Sequence, residues 1–298
     1  MNPRVARGSA RVEAQAKINL FLRVRQREPT GYHQIVTLFQ RIALADTVTV
    51  RTTVNGRALD VRGADTGPVE QNLAWRAALA FTAAAKWPGS FAIEIEKRIP
   101  VGGGLGGGSA DAAAVLRALC AIVPEAPGQE ALKQIALELG ADVPYLLSEL
   151  PLALGAGRGE RLIALAPLAA RDVVLLVPPF GISSGDAFGW FDASPHPANH
   201  SPQIVPSPID WKIATAHAAN DLEATVFAHH PDLAMLRDAI EASGAFIARM
   251  SGSGSTLFGV YEPAAPDAVI RRRERLGQLG VLVIETATVD NVARVEQL

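Results

Sequence analysis

Cysteine is nearly absent from this chain. The single cysteine, Cys120, excludes an intrachain disulfide and fits a reducing compartment, so we expect a cytoplasmic protein. Cys120 falls on the apolar side of a helical pattern, where it would act as a small buried hydrophobic residue. The six histidines show no ligand spacing, and we therefore predict no structural metal.

Long apolar runs and an excess of charge of one sign are also missing. The longest runs, such as 173–177, have the length of a strand and fall far short of a membrane span. The net charge of −2 gives no basic field for a nucleic acid. The first dozen residues are rich in arginine without an apolar core, which predicts a disordered start rather than a secretory signal. We expect a monomer or homodimer that binds a small molecule, with no nucleic acid and no membrane as partner.

Glycine, in contrast, is concentrated in one stretch. Residues 100–119 read PVGGGLGGGSADAAAVLRAL, with six glycines in a loop that opens onto an apolar helical pattern. Glycine permits left-handed backbone and close approach of a ligand. We expect Ser109 or Asp111 to cap a helix over 110–122. Free N–H groups and the positive end of the helix dipole then face the loop, which predicts a phosphate-binding site.

Other interpretations of this stretch fit the residues less well. A merely flexible loop is disfavoured because a well-capped apolar helix follows it. A Walker loop would need Gly-Lys-Ser or Gly-Lys-Thr, whereas Gly108 is followed by Ser-Ala. The glycines of 102–107 match the dinucleotide fingerprint, but the preceding strand, 91–99, alternates apolar and charged residues, unlike a Rossmann strand.

The glycine stretch resembles the phosphate-binding motif of the GHMP kinases, the family of galactokinase, homoserine kinase and mevalonate kinase. The form GLGGGSAD is most similar to the branch whose substrate is a cytidylyl sugar alcohol. The resemblance implies an ATP-dependent small-molecule kinase of the α+β class that uses ATP and Mg²⁺. It implies an N-terminal mixed β/α nucleotide-binding domain over 1–168 and a C-terminal ferredoxin-like α/β domain over 169–298.

The resemblance also implies which residues bind ATP. They are Pro100, Val101, Gly102, Gly103, Gly104, Leu105, Gly106, Gly107, Gly108, Ser109 and Ala110. The family usually has two serines where this chain has Ser109-Ala110, so only Ser109 offers a hydroxyl to a phosphate or to the magnesium shell.

Two polar residues stand in an otherwise apolar strand predicted over 12–24. Alternation places Lys17 and Asn19 on one face with Gln15 and Phe21, and Leu22 on the other face. From the residues alone, Lys17 either reaches solvent from an edge strand or points with Asn19 into a site. The family shares the Ala-Lys-x-Asn-Leu signature, and the resemblance implies a catalytic Lys17 and a substrate-binding Asn19.

Asp142 follows a predicted helix, 129–139, and its C-cap Gly140. Capping preference favours Asp142 as the N-cap of a short segment over 143–148. The Gly-Ala-Asp-Val-Pro run matches the GHMP kinases, and the resemblance implies that Asp142 is the catalytic base.

Two pairs of residues are implied to bind the acceptor. Tyr32 and His33 follow a glycine turn, and the resemblance implies that Tyr32 stacks on a cytosine while His33 binds the edge of the base. Ser184 could simply cap a helix containing Phe188. The resemblance implies that Ser184 binds substrate and that Phe188 closes the other face of the cytosine.

Local signals predict further features outside the site. Asn55-Gly56 predicts a hairpin between 46–54 and 58–63, and Asn220 with Glu223 predicts a capping box.

Three segments are expected to be loops. They are a loop over 155–159, a long surface loop over 192–210, and a Gly/Ser loop over 251–255 that the resemblance places against the phosphate loop. The alternatives left open are another GHMP kinase of homoserine or mevalonate type, a non-catalytic nucleotide-binding protein, and an oxidoreductase.

Overall fold

Two β-sheets with flanking helices organise the chain in a computed structural model that describes residues 8–54, 56–194 and 208–298. The elements of the first half are β1 (Ser9–Arg27), β2 (His33–Thr53), β3 (Ala58–Arg62), α1 (Leu73–Ala84), β4 (Ser90–Glu96), α2 (Gly107–Ile122), α3 (Gln129–Leu139), α4 (Val143–Leu147), β5 (Leu152–Gly157) and β6 (Arg161–Ala164). Those of the second half are β7 (Asp172–Val177), α5 (Ser184–Ala193), α6 (Trp211–His217), α7 (Glu223–His229), α8 (Pro231–Ala242), β8 (Ile247–Met250), β9 (Leu257–Tyr261), α9 (Pro266–Gly277), β10 (Leu282–Ala287) and β11 (Glu296–Gln297). Among these described helices, none has the length and apolar character that a membrane crossing requires.

The N-terminal sheet has seven strands and is mainly antiparallel. Its path is β11-β1-β2-β4-β3, and β5 and β6 branch from the first half of β2. Helix α2 packs against this sheet through a nearly continuous run of buried alanine, valine and leucine side chains. The described residues form no doubly wound parallel sheet, so the dinucleotide interpretation of the glycine stretch is wrong.

The predicted hairpin around Asn55-Gly56 is wrong. Strand β3 pairs in parallel with β4, and β4 lies between β3 and β2. The reason is that β4 has a more apolar face than β3. Phe91, Ile93 and Ile95 of β4 are buried, whereas β3 is at most half-buried and stays at the edge of the sheet. Asn55 itself lies outside the described residues.

The predicted loop over 155–159 is wrong in its first part, because β5 continues to Gly157 and pairs with β2. Gly155 makes this strand hard to predict from the sequence, because glycine is unfavourable inside a strand. The ring of Phe39 lies across the backbone there, and a Cβ on Gly155 would stand 2.7 Å from that ring. The surface loop predicted over 192–210 begins later than expected, because α5 extends to Ala193. Residues 195–207 of this loop lie outside the described part of the chain.

The second sheet confirms the expected ferredoxin-like unit. Its strands are all antiparallel, and their order across the sheet is β10-β7-β9-β8. When the four strands are numbered along the chain, this order is 4-1-3-2. Helices α5 to α8 connect the first two of its strands, and α9 connects the last two. One face of this sheet joins the N-terminal hydrophobic core, and the other face packs under α8.

Cys120 is half-buried on α2, where it packs against the hydrophobic core. Burial raises the pKa of its thiol above the ordinary value, because the thiolate is poorly solvated there. Cys120 therefore packs as a small hydrophobic residue, as expected, but it is half-buried and not fully buried.

Candidate active site

Irregularities in β1 decide which of its side chains face the site. The register with β2 shifts between Gln15 and Lys17 and again between Asn19 and Phe21. A bulge adds one residue and reverses the alternation beyond it. Phe21 therefore packs in the N-terminal core, and Leu22 lines a cavity of about 540 Å³ beside Lys17 and Asn19. The prediction that Phe21 shares their face is wrong.

Lys17 is held at the wall of this cavity by two protein acceptors. Its Nζ donates to Asn19 Oδ1 and to the carbonyl oxygen of Gly104, each at 2.8 Å. Asn19 is oriented in turn, because its amide donates to Thr37 Oγ1 at 2.7 Å. Lys17 is only 3% exposed, which excludes the interpretation that it reaches solvent from an edge strand.

Asp142 stands next to Lys17. Its Oδ2 lies 3.4 Å from Lys17 Nζ, and the carboxylate lines the cavity. Asp142 is the residue before α4, but its side chain accepts no hydrogen bond from the first turn of that helix. Capping therefore does not account for the carboxylate, which instead completes a Lys-Asp pair on a cavity wall.

The glycine loop has the backbone geometry that its sequence predicts. Gly102, Gly104 and Gly106 adopt φ values of 75°, 76° and 75°. A Cβ on Gly104 would stand 2.1 Å from the carbonyl oxygen of Ser251, and Ser251 Oγ donates to the carbonyl of Gly104 at 2.9 Å. The expectation that the 251–255 loop lies against the glycine loop is confirmed.

Helix α2 starts before either predicted cap. It begins at Gly107, and its N-cap is Gly106, whose left-handed backbone turns the chain into the helix. The prediction that Ser109 or Asp111 caps it is wrong, because Ser109 lies within the first turn and the Asp111 side chain points inward to an ion pair.

A second cavity of about 340 Å³ lies over the glycine loop. All ten residues from Pro100 to Ser109 line it, whereas Ala110 is buried in the core behind the loop. The two cavities join, because five residues line both of them, namely Gly104, Ser109, Asp142, Ser184 and Ser253. Ligand groups that meet where the two cavities join would therefore lie beside Asp142.

A buried ion network behind the glycine loop was not anticipated from the sequence. Lys97 Nζ donates to Asp111 Oδ2 at 2.7 Å and to Asp46 Oδ2 at 2.5 Å. The other Asp46 oxygen accepts from the backbone N–H groups of Arg98 and Ile99. The network thus ties the segment that enters the loop to the helix that leaves it. A lysine directly after an alternating strand was the only local signal for it.

Burial and mutual charge set the pKa values in this network. Burial raises the pKa of Asp111 to about 7, since Lys97 lowers it only in part and the Asp46 carboxylate raises it further. Burial pulls the pKa of Lys97 down, but Asp111 and Asp46 outweigh it and hold that pKa above the ordinary lysine value.

Aromatic and charged groups line the opposite end of the larger cavity. The His33 ring stacks on Phe188, with ring centroids 5.1 Å apart and an interplanar angle of 14°. Tyr32 is 60% exposed, and the Arg158 guanidinium lies 4.2 Å from the centre of its ring. Asp192 Oδ1 lies 2.7 Å from His33 Nε2. Arg158 and Asp192 were missed because no sequence signal links them to Tyr32 or His33.

Ser184 is not the cap of its helix. Ser183 is the N-cap of α5 and accepts from the Asp186 N–H, so the capping prediction is wrong by one residue. The Ser184 hydroxyl lies 3.2 Å from Ser253 Oγ, where the two cavities join.

Asn220 and Glu223 do not form a capping box. The Asn220 amide donates to the carbonyls of Met250 and Gly252 at 2.8 and 2.7 Å, and Glu223 Oε1 accepts from the Met250 N–H at 2.7 Å. Asn220 Oδ1 still accepts from the Leu222 N–H at 3.0 Å, but the other hydrogen bonds of the two side chains go to the end of β8 and the following loop, and Leu222 is the N-cap of α7. They position the 251–255 loop that supports Gly104.

The comparisons with known proteins agree with this architecture. Residues 72–149 match the GHMP kinases N terminal domain, and residues 212–278 match the GHMP kinases C terminal domain. A crystal structure of homoserine kinase from Cytophaga hutchinsonii shares the fold at 16% identity, with a TM-score of 0.69 over 97% of each chain. The fold and the site therefore define a GHMP kinase, an ATP-dependent small-molecule kinase.

Closer relatives narrow the assignment. Proteins named 4-diphosphocytidyl-2-C-methyl-D-erythritol kinase are 41% identical in Anaeromyxobacter sp. (strain K), covering 95% of this chain and 91% of the relative, and 37% identical in Pelotomaculum thermopropionicum, covering 92% and 96%. A crystal structure of 4-(cytidine 5'-diphospho)-2C-methyl-D-erythritol kinase is 36% identical, with a TM-score of 0.77 over 93% of this chain and 98% of that one. The chain belongs to the family of 4-diphosphocytidyl-2-C-methyl-D-erythritol kinases.

Proposed function

We propose that the chain transfers the γ-phosphoryl group of ATP to the 2-hydroxyl of 4-diphosphocytidyl-2-C-methyl-D-erythritol. The products are the 2-phosphate and ADP, and the reaction belongs to the non-mevalonate route to isoprenoid precursors. One observation carries the proposal: Lys17 Nζ lies 3.4 Å from Asp142 Oδ2 where a glycine-lined cavity joins an aromatic one. The first cavity suits a triphosphate, and the second suits a cytidylyl alcohol.

Lys17 and Asp142 divide the chemistry between them. The acceptor is a tertiary alcohol, crowded and weakly acidic, so its oxygen must be held in line with the γ-phosphorus. Asp142 accepts the hydroxyl proton as the new O–P bond forms and the bond to the β-phosphate oxygen breaks. Lys17 stabilises the charge on the transferring group, and Asn19 and Gly104 keep its Nζ in place.

The glycine loop binds the phosphates of ATP through its backbone. Residues Gly104 to Ser109 line the smaller cavity, and α2 begins there, so that the positive end of its dipole lies beside the cavity. Within the described residues no cluster of three His, Cys, Asp or Glu side chains could hold a metal by itself. Mg²⁺ prefers oxygen ligands, and the Ser109 hydroxyl is the side-chain oxygen of the glycine loop that would help to hold it beside the phosphates. Bound there, Mg²⁺ would neutralise phosphate charge.

The aromatic end of the larger cavity holds the cytidylyl group. Tyr32 and Phe188 offer ring faces to the cytosine, and His33 offers a ring nitrogen, Nδ1, to its edge. Ser184, where the cavities join, is placed to contact the diphosphate-linked alcohol. Since residues of one chain line both cavities, the site that we propose is compatible with a monomer and with a homodimer. We propose a cytoplasmic location because ATP is supplied there.

A coupled assay of ATP consumption tests the proposal. Purified protein is given ATP, Mg²⁺ and one acceptor at a time: the cytidylyl methylerythritol, homoserine or mevalonate. We expect sustained turnover with the cytidylyl alcohol alone, because only that acceptor uses the aromatic end of the cavity. Faster turnover with homoserine or mevalonate would assign the chain to another GHMP activity. ATP binding without turnover of any acceptor would favour a nucleotide-binding role.

A further inference from the structure

We propose, building on the function proposed above, that Asp192 is a positioning residue that selects cytosine over uracil by fixing the tautomer of His33. Asp192 lies in the last turn of α5, and its two carboxylate oxygens have separate partners. Oδ1 lies 2.7 Å from His33 Nε2, and Oδ2 lies 3.2 Å from Arg27 Nη1. The carboxylate therefore joins the end of β1, the start of β2 and helix α5 at one wall of the larger cavity.

The partner of Nε2 decides which histidine nitrogen carries the proton. An ionised carboxylate only accepts hydrogen bonds, so Nε2 must carry the proton that it donates to Asp192. In the neutral imidazole ring, Nδ1 is then left with a lone pair and can only accept. Arg27 Nη1 occupies the other carboxylate oxygen, Oδ2, which leaves Oδ1 to accept from His33 Nε2.

The ring is also held in orientation. Phe188 stacks on one face of His33, and Phe191 meets the ring edge-on with centroids 6.2 Å apart. The His33 side chain is only 6% exposed, yet the residue lines the cavity. In the described part of the chain Nδ1 has no hydrogen-bond partner, which leaves it for a ligand.

A fixed acceptor at this place discriminates between pyrimidines. Cytosine carries a 4-amino group that donates, whereas uracil carries a 4-oxo group that accepts. Nδ1 with a lone pair binds the amino group and opposes the oxo group. The opposite tautomer, with the proton on Nδ1, would reverse this preference. Asp192, which need not touch the base, would thus set base specificity through His33.

Two measurements on the full-length protein test the inference. The first is nitrogen-15 NMR of the histidine rings, with the His33 signals identified by their loss in His33→Phe. We expect the wild-type ring to carry its proton on Nε2, and Asp192→Ala to shift it toward a mixture of both tautomers. The second is the ratio of kcat/KM for cytidylyl and uridylyl acceptors. This ratio should fall about tenfold or more in Asp192→Ala, mainly through KM.

A control and an independent readout keep the outcomes separate. Asp186→Asn alters another carboxylate of α5, whose hydrogen-bond partner among the described residues is Ser183, and should leave both the tautomer and the ratio unchanged. Equal losses for both acceptors in Asp192→Ala, or a proton on Nδ1 in the wild type, would overturn the inference. If neither acceptor were phosphorylated, the proposed function would fall. The NMR spectra and the relative affinities for cytidine and uridine 5'-diphosphate would then still decide the role of Asp192.

Discussion

At the scale of single residues, Lys17 shows how a buried charge is prepared for a ligand. An ammonium group has three N–H donors, and two of them are used at 2.8 Å by Asn19 and Gly104. The third faces Asp142 at 3.4 Å, which is longer than a charge-assisted hydrogen bond. A phosphoryl oxygen that enters there would complete the coordination of a group that is otherwise fixed, so the catalytic role proposed for Lys17 would need little reorganisation.

Replacing Asp142 by asparagine tests the base directly. Asp142→Asn keeps the shape of the side chain but cannot accept the hydroxyl proton, so we expect kcat to fall roughly 10²- to 10⁴-fold. The affinity for ATP should change little, because the glycine loop and α2 are untouched. Initial rates and calorimetric titration with ATP measure the two quantities. Asp238→Asn is the control, since that exposed carboxylate pairs with the neighbouring Arg237, far along the chain from the proposed site residues. A kcat within a few-fold of wild type would remove the base assignment.

At the scale of elements, the glycine loop is shaped by its supports as much as by its own sequence. The Lys97 network holds both of its ends, and the 251–255 loop presses against its middle. The 251–255 loop is held in turn by Asn220 and Glu223. Because these contacts join segments far apart in the chain, they fix the shape of the loop in advance of the phosphate binding that we propose for it.

A matched pair of glycine substitutions separates backbone conformation from packing. Gly104 and Gly244 both have positive φ, so alanine costs each about 1 to 2 kcal/mol of conformational free energy. A Cβ at 244 meets open space, whereas at 104 it meets the Ser251 carbonyl at 2.1 Å. We expect Gly104→Ala to lower the free energy of unfolding in urea by about a further 2 kcal/mol. Equal losses in the two variants would show that the 251–255 loop yields without cost.

The sequence predicts the elements well where the signal is local, as with the glycine loop, helix α3 and strand β7. It fails where pairing decides the outcome. The bulge in β1, which turns Phe21 into the core and Leu22 toward the cavity, depends on how β1 pairs with β2. The hairpin fails because β4 competes for the same edge of β2. Side chains that meet across the fold, such as His33 and Asp192, lie 159 positions apart and leave no pattern to read.

At the scale of the whole molecule, the two predicted domains share one hydrophobic core. Val173, Leu175 and Val260 of the C-terminal sheet lie in the same buried cluster as the N-terminal sheet and α2. Backbone hydrogen bonds also join Leu22 of β1 to residues 219 and 221. The boundary between residues 168 and 169 stays a prediction, and the structure gives a physical reason to expect the two units to depend on each other.

This shared core predicts that both halves unfold in one cooperative transition. The four tryptophans serve as local probes, because Trp75 and Trp87 lie before the predicted boundary and Trp190 and Trp211 lie after it. Two double variants, Trp75→Phe with Trp87→Phe and Trp190→Phe with Trp211→Phe, each leave fluorescence in only one half. Urea unfolding of each variant should give the same midpoint by fluorescence and by far-UV circular dichroism. The comparison is made within each variant, so any loss of stability from the substitutions cancels. Fluorescence that changes well before or after the circular dichroism signal, in either variant, would mean that one half unfolds alone. The core would then not couple the walls of the two cavities.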